Sequence, residues 1–184
     1  MNNRGLWPEI VNNYHVYNGN SENLTDPMLG IGANLELPTI NEKTETLSGA
    51  GILGDIDVNN PGDFEAFDMT IPFVSVCEGM FEINSKERTY LTVRSTMQST
   101  VKATGAMSYS GLKVVVGGKV KGYNLGSLEK GKQGNSGVTM SVTYLKIELK
   151  YADGTTVTAF ELDKYNEKYV VNGQDMLKEI REFS

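Results

Sequence analysis

Cysteine and histidine are nearly missing from this chain: Cys77 and His15 are the single representatives among 184 residues. One cysteine excludes an intrachain disulfide and predicts synthesis in a reducing compartment. One histidine excludes multi-histidine metal sites, and without a nucleophile and an orienting group beside it there is no triad. His15 lies in the alternating run Asn13-Tyr14-His15-Val16-Tyr17, which predicts a partly exposed sheet position. Cys77 lies among apolar residues and is expected to be a small buried core side chain. Long apolar stretches are absent too: no run of roughly 18 apolar residues could span a bilayer. The stretch Met1–Glu9 lacks the apolar core and small-residue cleavage site of a signal peptide, so cytosolic synthesis is expected.

What is present is ordinary in bulk and uneven in detail. Hydrophobic residues at 39% and charged residues at 22% suit a globular protein, and the length suits one domain over residues 1–184. The net charge of −6 conceals a strong segregation. Residues 36–87 hold eleven carboxylates against Lys43 and Lys86, whereas residues 88–150 hold ten bases against Glu129 and Glu148. Two readings stay open: neutralisation within one molecule, or a head-to-tail contact between an acidic edge of one copy and a basic edge of the next.

Periodicity points to β structure. Between Tyr90 and Lys102, Leu91, Val93, Met97 and Val101 alternate with Thr92, Arg94, Thr96, Gln98, Thr100 and Lys102. Leu112 to Lys121 alternates likewise, and such patterns predict antiparallel strands with one packed face. Gly105 and Gly111 bracket the expected connection. From Val138 to Tyr151 the apolar positions change phase, even up to Tyr144 and odd from Leu145, which predicts a bulge or a change of sheet near Tyr144–Leu145. Asp153-Gly154 is a hairpin turn returning through Thr155 to Asp163. A short strand at Tyr169–Val171 and a turn at Asn172-Gly173 follow. Asp175 to Phe183 reads as a helix with a stripe of Met176, Leu177 and Ile180, capped by Asn172 or Asp175. Phe73 to Ile83 reads as one short helix packed on the sheet or as a continued strand, the helix being favoured because Pro72 suits a helix start. Residues 41–62 are polar and acidic, too long for a simple connection, and read as a long extended loop.

The catalytic and ligand motifs fail on spacing. Asp55, Asp57, Asp63, Glu65 and Asp68 do not match a calcium loop, which needs a glycine at its sixth position and a glutamate at its twelfth. Gly49-Ala50-Gly51-Ile52-Leu53-Gly54 matches a dinucleotide fingerprint literally, yet follows a polar stretch with no βαβ unit around it. Arg94, Lys102, Lys113, Lys119, Lys121 and Lys132 lack the interleaved aromatics of a nucleic-acid surface. No enzyme and no cofactor is expected.

Three blocks carry a resemblance. The first is Tyr14-His15-Val16-Tyr17-Asn18-Gly19, leading to Leu35–Ile40 and then Ser48-Gly49-Ala50-Gly51. The second is Gly131-Lys132-Gln133-Gly134 with Val142–Ile147, and the third is Lys168–Asp175. In this order and spacing the chain resembles the major tail tube proteins of contractile-tailed bacteriophages and related phage-tail-like bacteriocins, with Asn20 to Gly32 as an apparent insertion. The resemblance implies a mainly β protomer, an antiparallel sandwich or barrel with a flanking helix. It implies homohexameric rings that stack head to tail, and no chemistry. It further implies a tail sheath around the tube, a tape measure in the lumen, baseplate and terminator proteins, and DNA passing without specific binding. The particle would be made in a bacterial host cytoplasm and function in a virion tail or a released tail-like particle.

On that basis Thr92, Thr96, Gln98 and Thr100 are candidates for the lumen face, where Arg94 and Lys102 are awkward. Glu42, Glu45, Asp55 and Asp57 are candidates for contact between rings. The tube of a type VI secretion-like or other contractile injection system is an alternative within the same architecture. A monomeric β-sandwich binding module is an alternative of another kind, and would expose a cluster among Tyr14, Tyr17, Tyr144, Tyr151, Tyr165 and Tyr169.

Overall fold

In the computed structural model, residues 5–83 and 87–183 are described. The strands are β1 (Leu6–Asn18), β2 (Glu42–Leu47), β3 (Ile56–Phe64), β4 (Asp68–Phe73), β5 (Thr89–Val101), β6 (Met107–Asn124), β7 (Ser136–Lys150), β8 (Thr156–Asp163), β9 (Lys168–Val171) and β10 (Gln174–Asp175). The helices α1 (Glu78–Glu82) and α2 (Lys178–Glu182) are one turn or so each. The larger sheet runs β1-β5-β6-β7-β8-β9-β10, with β4 also paired to β7, and β2 with β3 forms a separate hairpin. The expected mainly β, antiparallel architecture is therefore what the chain adopts.

Register explains the core. Val16, Val93, Val114 and Ile147 stand opposite one another across four strands. The next inward row is Leu91, Val116, Leu145 and Leu162. Met69, Ile71 and Phe73 of β4 face Met140, Val138 and Ser136, and Met80 and Ile83 bring α1 onto the same cluster. Full burial of each such side chain contributes about 1.5–3 kcal/mol relative to exposure. Because side chains alternate, the reverse face of the same rows carries Thr92, Arg94, Lys113, Lys146 and Glu148.

The phase change in β7 is a bulge at Thr143. Gly117 stands opposite Tyr144 and Gly118 opposite Val142, so Thr143 is the extra residue. At the same place β7 changes its other neighbour, from Asp68 of β4 opposite Ser141 to Asp163 of β8 opposite Tyr144. The interrupted backbone finds partners just beyond those strands: Val142 N donates to Phe67 O, and Lys164 N donates to Thr143 O, both at 3.0 Å. Gly118 is required here, because a Cβ would lie 2.1 Å from the Ser141 carbonyl oxygen.

Residues 28–32 span the gap between the free edges of β1 and β4. Met28 N donates to Val16 O at 2.7 Å, while Gly32 N donates to Pro72 O and Val74 N to Gly30 O at 2.8 Å. These few bonds bring the sheet nearly round its core without making a continuous strand, so the barrel alternative does not close.

Four local expectations change. The segment 41–62 is largely a β-hairpin rather than an extended loop, since Thr44, Thr46, Ile56 and Val58 supply enough strand-forming residues to pair despite the acids. Its Gly49, Gly51 and Gly54 form the turn, which accounts for the spurious fingerprint. Phe73 ends β4 opposite Ser136, which leaves only Glu78–Glu82 for α1. The helix expected from Asp175 begins at Lys178, because Gln174 and Asp175 pair with β9. Finally, the β5–β6 connection is confined to residues 102–106, and Met107 to Gly111 already belong to β6.

Candidate assembly surface

The most conspicuous feature of the surface is apolar area that the chain does not cover. At one end of the sheet β1, β5 and β6 continue past the core as a ribbon with Trp7, Ile10, Val11, Met107 and Tyr109 exposed, Trp7 at 69%. The edge of that ribbon is blunted. Pro8 removes a donor, and Glu9 and Asn12 are unmatched by β5 at two register shifts. Glu9 folds back over β5, accepting from Thr100 Oγ1 and, at 2.8 Å, from Gln98 Nε2. Those two bonds hold its carboxyl below the ordinary range.

The second uncovered element is hairpin β2–β3. Every residue from Lys43 to Leu47 and from Ile56 to Pro61 is exposed, including Leu47, Ile56 and Val58, and Leu53 at the turn is fully exposed. A two-stranded hairpin bare on both faces is marginal in water. A third element, the 125–135 loop, presents Leu128 at 98% exposure beside Lys130 and Lys132. Exposed apolar protrusions of this kind mark interaction surfaces.

The candidate contact residues fall into two groups. Glu45, Asp55 and Asp57 are exposed on the hairpin, and none takes part in an ion pair among the described residues. Thr46 Oγ1 donates to Asp57 Oδ1 at 2.9 Å. Glu42 stands apart at the hairpin base, only half exposed, beside Tyr169. Burial first, then the charge of Glu42, raises that phenol.

The lumen candidates also divide. Thr96 is exposed and Gln98 and Thr100 are half-buried, but Thr92 has no exposed surface. Its hydroxyl donates to Gly19 O at 2.7 Å beneath the 19–24 segment. The same segment disposes of Arg94, whose guanidinium donates to Leu24 O and Glu22 O at 3.0 Å and lies over the Tyr17 ring. Glu22 and Glu148 hold Lys113 at 2.6 and 3.1 Å. Much of the basic sheet face is thus neutralised within the molecule, while Lys102, Lys119, Lys130 and Lys150 stay exposed.

Sequence reasoning missed one cluster. Arg88 Nη2 donates to Asp163 Oδ1 at 2.9 Å, and its guanidinium lies 5.1–5.6 Å from the rings of Tyr165, Tyr90 and Tyr144. Burial raises the Asp163 carboxyl, but the bonds from Arg88, Asn166 and the Tyr165 N–H outweigh it and leave it below the ordinary range. Only the crossing of β7 from β4 to β8 gathers these residues, so no local pattern announces them. The tyrosines raised for a binding module do not form one exposed cluster: among the six, Tyr165 alone is mostly exposed, at 68%. His15 is exposed as expected, whereas Cys77 is half-buried at the rim rather than in the core.

A packed sheet carrying bare apolar protrusions has the surface of a protein that associates with others. The family model for phage tail tube protein FII matches residues 8–183. The chain belongs to that family, whose members are structural components of the phage tail tube. Comparison with curated proteins finds no match. Among the described residues no helix is long and apolar enough to cross a membrane.

Proposed function

We propose that this chain, as one domain over residues 1–184, forms hexameric rings stacked into the inner tube of a contractile tail or headless tail-like particle. The tube is a conduit for DNA or ions into the target cell. The observation that carries this reading is hairpin β2–β3, exposed on both faces with Leu47, Ile56 and Val58 together on one of them, and projecting from a well-packed body. A contact between such a projection and a different surface of the next copy is heterologous and propagates as a filament. Glu45, Asp55 and Asp57 provide the acidic side, and the exposed Lys119, Lys130 and Lys150 the basic side of the neighbouring ring. Thr96, Gln98 and Thr100, with Glu9 held against the last two, line the lumen on a face that they share with Trp7, Ile10, Met107 and Tyr109. A sheath outside, a tape measure inside, and baseplate and terminator proteins at the ends complete the particle.

Negative-stain electron microscopy across a concentration and salt series tests this. Rings or tubes with a regular axial repeat are expected, and raising the salt or substituting E45Q/D55N/D57N lowers the assembled fraction. Particles that stay monomeric at every concentration, with and without purified tail baseplates as initiators, would overturn it.

A further inference from the structure

We propose that Leu177 is a latch that fixes the angle of hairpin β2–β3 at a hinge formed by Asn60–Asp63. The hinge is visible in the register. Glu42 pairs with Phe64, but two residues later Thr44 pairs with Asn59, so Asn60, Pro61, Gly62 and Asp63 form a wide interruption. Pro61 has no N–H for the ladder, and Gly62 sits at φ +87°, a conformation side chains with a Cβ rarely adopt. The base below the hinge is fastened to the body: Lys164 Nζ donates to Glu65 O at 2.8 Å, and the Phe64 ring packs edge-on to Tyr169 at 4.9 Å. Beyond the hinge, residues 44–47 and 56–59 are exposed on both faces.

The C-terminal segment reaches Gly62 of this hinge through Leu177. From Asn172 to Phe183 every residue is exposed except Leu177. Its Cδ2 lies 2.6 Å from where a Cβ on Gly62 would stand, so the missing side chain of Gly62 is what admits it. Leu177 is itself placed from the body. Met176 N donates to Tyr169 O at 2.9 Å, Leu177 N donates to Asp175 Oδ1 at 3.1 Å, and Arg181 Nη1 donates to Glu167 O at 3.0 Å. A cavity of about 380 Å³ between the hinge, β9 and α2 leaves the hairpin room to swing once the contact is lost. The chain of placement thus runs from β9 through α2 and Leu177 to Gly62. The latch deepens the assembly reading, because the hairpin's angle decides which surface of a second copy it reaches, but it is a property of the single chain.

The test is a distance distribution by pulsed electron spin resonance, with labels at L53C on the hairpin turn and A152C on the body, in a C77S background. L177A is expected to widen the distribution at least twofold, G62A to shift or widen it, and L177M to retain the original width. Equal widths in L177A and the parent would overturn the latch, as would equal widening in L177A and L177M. Tubes that never form from a chain whose distances obey the latch would instead sink the assembly reading and leave the latch standing.

Discussion

Strands β5 and β6 pass through two environments along their own length. At one end Leu91, Val93, Val114 and Val116 are buried beneath β4, α1 and residues 28–32. At the other, where the same strands meet the start of β1, Met107 and Tyr109 lie exposed beside Trp7, Ile10 and Val11. The pairing of β5 with β6 is continuous across the boundary. Pairing alone therefore does not bury a residue; a second layer does, and this chain supplies that layer over only part of its sheet. In the proposed tube, the bare part is what a neighbouring copy would cover.

The contrast breaks most forcibly in the covered half. Leu145→Ala removes a buried side chain beside the Thr143 bulge and is expected to cost about 2–5 kcal/mol in denaturant unfolding of the monomer. Arg88→Leu strips Asp163 of its main partner where both side chains are largely buried; a loss of about 1–3 kcal/mol is expected from the same measurement. The pH dependence sharpens this. The Asp163 carboxyl titrates lower in the folded chain than in the unfolded one, so its contribution is fully present above the ordinary carboxylate value of 3.8. It is lost as pH falls through the lower folded value. Asp163→Asn is accordingly expected to flatten the acid limb of a stability–pH curve while leaving the slope between pH 6 and 8, on the order of zero for this group, unchanged.

The bare half should behave in the opposite way. Trp7→Ser and Leu53→Ser are each expected to change monomer stability by no more than about 0.5 kcal/mol, yet to reduce tube formation in electron micrographs. Monomer destabilisation as large as that of Leu145→Ala would show that these residues serve the fold rather than assembly.

Much of this was legible in advance. Alternation locates β5, the central part of β6 and β7, the Asp153-Gly154 turn locates β8, and the parity change in β7 places its bulge within two residues. The hairpin at 42–64 was hidden because its few strand-forming residues are diluted by acids and glycines, so no packed face shows as a period. Helix α2 was overextended because the apolar spacing of Met176, Leu177 and Ile180 cannot reveal that the preceding two residues pair with β9. At the candidate surface the exposed acids of the hairpin were identifiable as charges. Thr92 was misleading because alternation gives a residue's face but not what lies over that face.

The β class, the strand phases and the segregation of charge follow from local steric preference and side-chain order alone. Long-range packing sets where β7 exchanges β4 for β8, how Arg88 meets Asp163, and that Leu177 rests on Gly62. Each of these depends on residues far apart in the chain being brought within a few ångströms, a condition that no local period encodes.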